Sequence, residues 1–219
     1  MRSPFFAVWY SMLMSGAEPL LVRPVRAGLL SSARGNLLIV GLGPGHDLRY
    51  LPTAVTAVTA VEPNPVMRRV ATRRARKLGV ELELIDGVAE ALPFADCAFD
   101  TVVSPFLLCS VVDVAAALAE FRRVLRPDGE LLVLEHIRAG DGTLLGRLQD
   151  LAESPWHALA DGCRPNRRTN NALAAAGFDV SGLVTGMFPL PTLISLYLVG
   201  RAPVEPHPAG TADTGRAVR

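Results

Sequence analysis

At 219 residues, half of them hydrophobic and 20% charged, the chain is long enough for one domain with a substantial core and too apolar to be disordered over most of its length. A formal net charge of +1 argues against a general nucleic-acid binder, which carries a strong basic excess. The three cysteines, Cys97, Cys109 and Cys163, lie far apart without a C-x-x-C pair, and this spacing suggests reduced cytosolic thiols, not a disulfide framework or a zinc site.

The chain opens on an apolar run at 5–14. This is shorter than the roughly 20 residues of a membrane span and lacks the flanks of a signal peptide. Two readings stand: a helix that covers a pocket, or an interfacial segment resting on a membrane surface through Phe5, Phe6, Trp9 and Tyr10. Segments 36–41, 57–61, 80–85, 100–104 and 130–135 are brief and rich in Val, Leu and Ile, as buried strands are. Between them Met67, Val70, Ala71, Ala75 and Leu78 recur at helical spacing, as do Val114, Leu118, Phe121 and Leu125. The first of these helices also carries Arg68, Arg69, Arg73, Arg74, Arg76 and Lys77, which reads as a solvated face, with a phosphate or acidic-lipid contact as the alternative. Strands alternating with helices predict an α/β fold, its sheet mostly parallel and covered on both faces. Near the end, 179–184 and 193–200 are strand-like with only a Pro-containing loop between them, which predicts an antiparallel pair. The stretch 202–219, rich in Pro, Gly, Ala and Thr, reads as a disordered tail.

The first strand runs into "GLGPGHDL". Gly41, Gly43 and Gly45 permit a tight turn that lets backbone N–H groups approach a ligand, at the strand end where open α/β sheets bind. A plain strand-to-helix turn is the competing reading. Glu62 ends the second strand about twenty residues after the turn begins, where an acid can accept both hydroxyls of a ribose. A nicotinamide site uses the same device, but G-x-G-x-x-G would need glycine where His46 stands. Pro63 and Pro65 would also interrupt a standard helix start.

"GVAEALPFADCAFDTVV" followed by "FRRVLRPDGELLVLEH" resembles the class I S-adenosylmethionine-dependent methyltransferases, in particular the ubiquinone/menaquinone methyltransferase-like group. Gly87, Ala89, Glu90, Leu92, Pro93, Phe94, Phe99, Asp100, Val102, Arg123, Leu125, Pro127 and Gly129 stand in register with that family's pattern. The resemblance implies a Rossmann-like, mostly parallel seven-stranded sheet with an antiparallel last strand. It also implies an N-terminal helical cap at 1–34 and a methyltransferase domain at 35–201. The implied cofactor is S-adenosylmethionine, met by Gly41, Leu42, Gly43, Gly45, Asp47, Glu62, Pro63, Val88, Ala89, Glu90 and Ser104. Val88 stands where the family has its adenine-binding acid, so adenine would depend on backbone groups of Val88 and Ala89, with Glu90 reaching across or Asp86 bending in. Asp47, in the first turn of the next helix, would meet the cofactor's ammonium or merely start that helix. Ser104 would lie where the methyl group emerges, or else is a buried strand-end serine.

Downstream, Leu107, Val111, Glu135, His136, Trp156, Asp161, Gly162, Cys163, Arg167, Thr169, Leu173, Gly177 and Phe178 resemble the methyltransferase-like thiol S-methyltransferases. Those relatives carry a longer hydrophobic membrane anchor, which is expected to be missing or much reduced here. The implied acceptor is a small apolar molecule, a thiol first. A thiol with a pKa of about 8.5 needs no strong base, because some is already thiolate at neutral pH. His136, at the end of the fifth strand, is the candidate catalytic residue or else a hydrogen-bonded wall residue. His157 and Cys163 read as structural, and no metal is expected. N-, O- or C-methylation of a metabolite or lipid headgroup, a non-catalytic binding protein and a nicotinamide-dependent oxidoreductase are the alternatives. The expected location is cytoplasmic, with peripheral membrane contact through the N-terminal helix as a variant.

Overall fold

A computed structural model describes residues 16, 18–189 and 192–205. The apolar run at 5–14 and the tail from 206 onward lie outside the described residues. Among the described residues seven strands form one sheet: β1 (Gly35–Val40), β2 (Val55–Val61), β3 (Glu83–Ile85), β4 (Phe99–Pro105), β5 (Leu125–His136), β6 (Leu183–Met187) and β7 (Leu196–Pro203). Their order across the sheet is β3-β2-β1-β4-β5-β7-β6. The first five pair in parallel, while β7 runs antiparallel to both β5 and β6. A parallel neighbour needs a crossover of a dozen residues or more, and the loop at 188–195 is too short for one.

Burial alternates along the central strands. Leu38 and Val40 of β1, Leu131 and Val133 of β5, and Val102 of β4 pack in one core layer; Leu37, Ile39, Leu132, Leu134 and Val103 pack in the other. Helices α3 (Val114–Val124) and α5 (Thr169–Ala175) cover the first layer through Leu118, Phe121 and Leu173. The second is covered by α1 (Arg23–Leu30) and α2 (Pro65–Leu78), through Leu29, Leu30, Ala71 and Ala75. A further helix, α4 (Leu144–Leu159), follows β5.

Several expectations are corrected. No helix follows the glycine turn: Asp47–Arg49 forms a single 3-10 turn, so Asp47 has no helix dipole to favour it. Pro65 does not interrupt a helix but opens α2 at its first turn, where its missing N–H costs nothing, while the Asn64 side chain accepts from the N–H groups of Val66 and Met67. The basic face of α2 is only partly solvated. Arg68 reaches the Glu62 carbonyl and the Asp86 carboxylate, and Arg74 reaches the carbonyl of Pro44 in the glycine turn. The expected strand at 179–184 begins only at Leu183, because the Asp179 side chain accepts from the Ser181 N–H and turns the chain first. Strand β7 continues through Pro203, two residues into the expected tail.

The segment before β1 is joined to the glycine turn by charge. Glu18, Arg26 and Asp47 are all buried, with Arg26 Nε 3.0 Å from Glu18 and its Nη1 on Asp47. Removing the guanidinium would strand two buried carboxylates. Arg26→Ala is therefore expected to lower stability by about 3–5 kcal/mol, read as a fall in the urea midpoint at unchanged slope.

Candidate functional site

The carboxyl ends of β1, β2, β4 and β5 share one edge of the sheet, and the chemistry-bearing residues gather there. Gly41, Gly43 and Gly45 have φ of 71°, 57° and 79°, a left-handed run that other residues resist. A Cβ on Gly41 would come 2.8 Å from the Leu107 side chain, whereas one on Gly43 would find only Met67 Sδ at 3.9 Å. Space over the turn is thus open at Gly43 and closed at Gly41. The N–H groups of Gly41 and Leu42 both donate to the Val61 carbonyl, pinning the turn to the end of β2.

Glu62 is the brace between the two strand ends. Its Oε2 accepts from Gly43 N–H and its Oε1 from Asn64 N–H, each at 2.8 Å. Burial raises its pKa above the ordinary carboxylate value, and the two backbone donors oppose that rise. Each oxygen retains a further lone pair. His46, beside the turn, has its pKa lowered to about 3 by burial and by Arg74, Arg26 and Arg49. Its Nε2 is buried with no hydrogen-bond partner among the described residues.

In the 86–90 segment the two acids, Asp86 and Glu90, are engaged elsewhere than expected. Val88 is exposed and Ala89 buried. Glu90 is not free to reach across; its carboxylate accepts from the N–H groups of Val112 and Asp113 and braces the entry to α3. Asp86 is paired with Arg68 at 2.8 Å.

The end of β4 is held by a residue that the sequence reading left without a role. Glu135, fully buried on β5, accepts from Ser104 Oγ at 2.6 Å, from Leu107 and Leu108 N–H at 2.8 Å, and from Cys109 N–H at 3.3 Å. Ser104 is therefore engaged with Glu135. The capture of three consecutive N–H groups hooks the loop back and places Phe106 at φ 57°. Its ring stacks on the His136 imidazole with centroids 4.4 Å apart, and Arg26 lies 5.7 Å from the ring centre on the way to Asp47. A charged residue closing the otherwise apolar run 131–134 was the available signal for Glu135.

His136 ends β5 with Nδ1 3.8 Å from Cys109 Sγ, which is itself 3.7 Å from Cys163 Sγ. The expectation of scattered thiols is thereby corrected for two of the three: the loop after β4, the end of β5 and the turn after α4 converge, and linear spacing does not register such a meeting. Cys97 stays apart and exposed. Cys163 is depressed in pKa by its neighbours Cys109 and His136, while contact with Cys163 and full burial raise Cys109. His157 is exposed on α4.

The chain matches the family described as a methyltransferase domain over residues 38–133. It is 31% identical to two human proteins, the thiol S-methyltransferases TMT1A and TMT1B, over 80% and 83% of this chain and 72% of each of theirs. Among solved structures, Bacillus subtilis YcgJ is similar with a TM-score of 0.60 at 25% identity, over 73% of this chain and 69% of that one. A methyltransferase from Thermotoga maritima shares the fold with a TM-score of 0.65 at 22% identity, over 90% and 95%.

Burial pushes the Glu135 pKa up to about 7 from an ordinary 4.5, against its four donors. The folded protein then holds this proton more tightly than the unfolded chain. The group's stabilising contribution is full below about 4.5 and lost as pH rises to about 7, by about 3 kcal/mol. The difference in urea stability between the parent and Glu135→Gln should follow that slope from pH 4.5 to 7; a flat difference would refute it.

Proposed function

Because the chain belongs to the S-adenosylmethionine-dependent methyltransferases, we propose that it methylates the sulfur of a small apolar thiol. The observation that carries this reading is the likeness to two thiol S-methyltransferases across four-fifths of the chain. The residues resembling theirs include the turn that brings Cys163 beside His136.

The residues at the sheet edge fit the cofactor. Glu62 has lone pairs left for two ribose hydroxyls while its backbone bonds hold it still. Open space above Gly43 admits a ligand against the backbone of the turn there, while Gly41 and Leu42, bonded to the Val61 carbonyl, hold the turn in shape. His46 Nε2 is a buried polar atom that a ligand can satisfy. Backbone groups of Val88 and Ala89 are assigned to adenine. Asp47 and Glu90 are engaged by Arg26 and by the entry to α3, so they are left out of the contacts. Ser104 acts through Glu135 by holding the loop that forms the wall.

When bound, the cofactor supplies an electrophilic methyl group on a sulfonium. The chain's task is to align an acceptor with it, because in-line alignment supplies much of the acceleration in a direct displacement. Phe106 and His136 form a stacked wall on the acceptor side. A thiol requires no strong base from His136, since its own acidity already yields thiolate at neutral pH.

Glu62→Ala removes two charge-assisted bonds to the ribose and the brace on Gly43, and should weaken S-adenosylhomocysteine binding at least about 100-fold by calorimetry. Unchanged affinity would sink the cofactor assignment. For the acceptor, the purified protein is offered an apolar thiol, an amine and a phenol with labelled cofactor. Methyl thioether as the dominant product is expected, and methylation of the amine or phenol alone would overturn the thiol reading.

A further inference from the structure

We infer that Cys109, His136 and Cys163 form a three-ligand zinc site whose fourth position takes an exogenous thiol as its thiolate. The zinc site stands on geometry alone; the thiolate in its fourth position rests on the thiol reading above.

The donor atoms already stand near the separations that a tetrahedral zinc ion imposes. With Zn–S of about 2.3 Å and Zn–N of about 2.0–2.1 Å, two sulfurs on one ion lie about 3.7–3.8 Å apart, and a sulfur and a nitrogen about 3.5 Å apart. The two sulfurs here are 3.7 Å apart, Cys109 Sγ lies 3.8 Å from His136 Nδ1, and all three ligand atoms fall within 4.8 Å of one another. Small movements would complete the geometry. Two sulfurs and an imidazole, with no carboxylate in the group, suit a soft or borderline ion and not magnesium or calcium.

Each ligand is held by the backbone around it. Cys109 has its N–H on Glu135 and its carbonyl on the N–H of Arg164, the residue after Cys163. The turn at 161–163 docks closely: a Cβ on Gly162 would sit 3.3 Å from the Ser110 carbonyl. The His136 ring is oriented by its stack on Phe106. Among the described residues three non-glycine positions have left-handed backbone, and two of them, Phe106 and Asp161, flank this group. Strain of that kind persists where the surrounding structure fixes it, and it concentrates at functional sites.

Three protein ligands with one position left over is the arrangement of a catalytic zinc, whereas structural sites close with four. Cys109 follows the end of β4 and His136 ends β5, which puts the group at the sheet edge that carries the glycine turn. A thiol entering it gives its proton to solvent and binds through sulfur.

The test uses the full chain, expressed with zinc and purified with a phosphine reductant and no chelator. About one equivalent of zinc per chain is expected, and cobalt exchange should give thiolate-to-cobalt charge-transfer bands with the strong visible bands of a tetrahedral ion. Cys163→Ser and His136→Ala should each lose most of the metal and the bands. Cys97→Ser should keep both, and S-adenosylhomocysteine titration shows which variants are folded. Adding mercaptoethanol to the cobalt protein should shift the bands without releasing metal. Substoichiometric zinc with no cobalt spectrum would overturn the site even in a protein that methylates thiols. A spectrum unmoved by mercaptoethanol would overturn the open thiolate position. Bound metal and shifting bands in a protein that methylates only amines would uphold the site and sink the thiol acceptor.

Discussion

The buried carboxylate of Glu135 organises the working edge of the sheet. One acid on β5 collects a hydroxyl and three backbone N–H groups from the end of β4 and the loop after it. Without an acceptor those donors would be buried and unsatisfied, and each such loss costs about 1–3 kcal/mol. The loop so held faces two ways. Leu107 packs on Gly41, which is why that position tolerates no side chain, and Phe106 lies against His136. One interaction therefore sets both the floor of the glycine turn and the Phe106–His136 stack.

Glu62 repeats the device one strand away. It too is a buried acid at a strand end, holding backbone N–H groups from two segments and pushed upward in pKa by burial. The two differ in what remains. Glu135 has four donors and serves the loop, whereas Glu62 has two and retains acceptor capacity. A brace with unused lone pairs is suited to a ligand's hydroxyls. A saturated one is suited to geometry.

The segment before β1 joins this edge through Arg26, which pairs with Glu18 and Asp47 and approaches the Phe106 ring. Its guanidinium thus touches the element that follows the glycine turn and the ring that orients His136. A change in how 18–30 sits against the sheet would reach both sides of the site through this one side chain.

Local pattern was enough for the α/β class and most strand positions, because each central strand buries both faces and its run of Val, Leu and Ile shows it without reference to neighbours. The glycine turn and Glu62 were legible for the same reason: left-handed backbone demands glycine locally, and the acid lies at a fixed distance along the chain. Other features were decided only by tertiary structure. Asp47 gained Arg26 in place of a helix dipole, Glu90 turned to the start of α3, and Ser104 found Glu135. Cys109, His136 and Cys163 come from three segments whose meeting depends on how the sheet edge and the turn after α4 fold together. Periodicity reports which face of an element is buried, but the partner of a buried polar group lies on another element, and nothing in the linear order of residues specifies it.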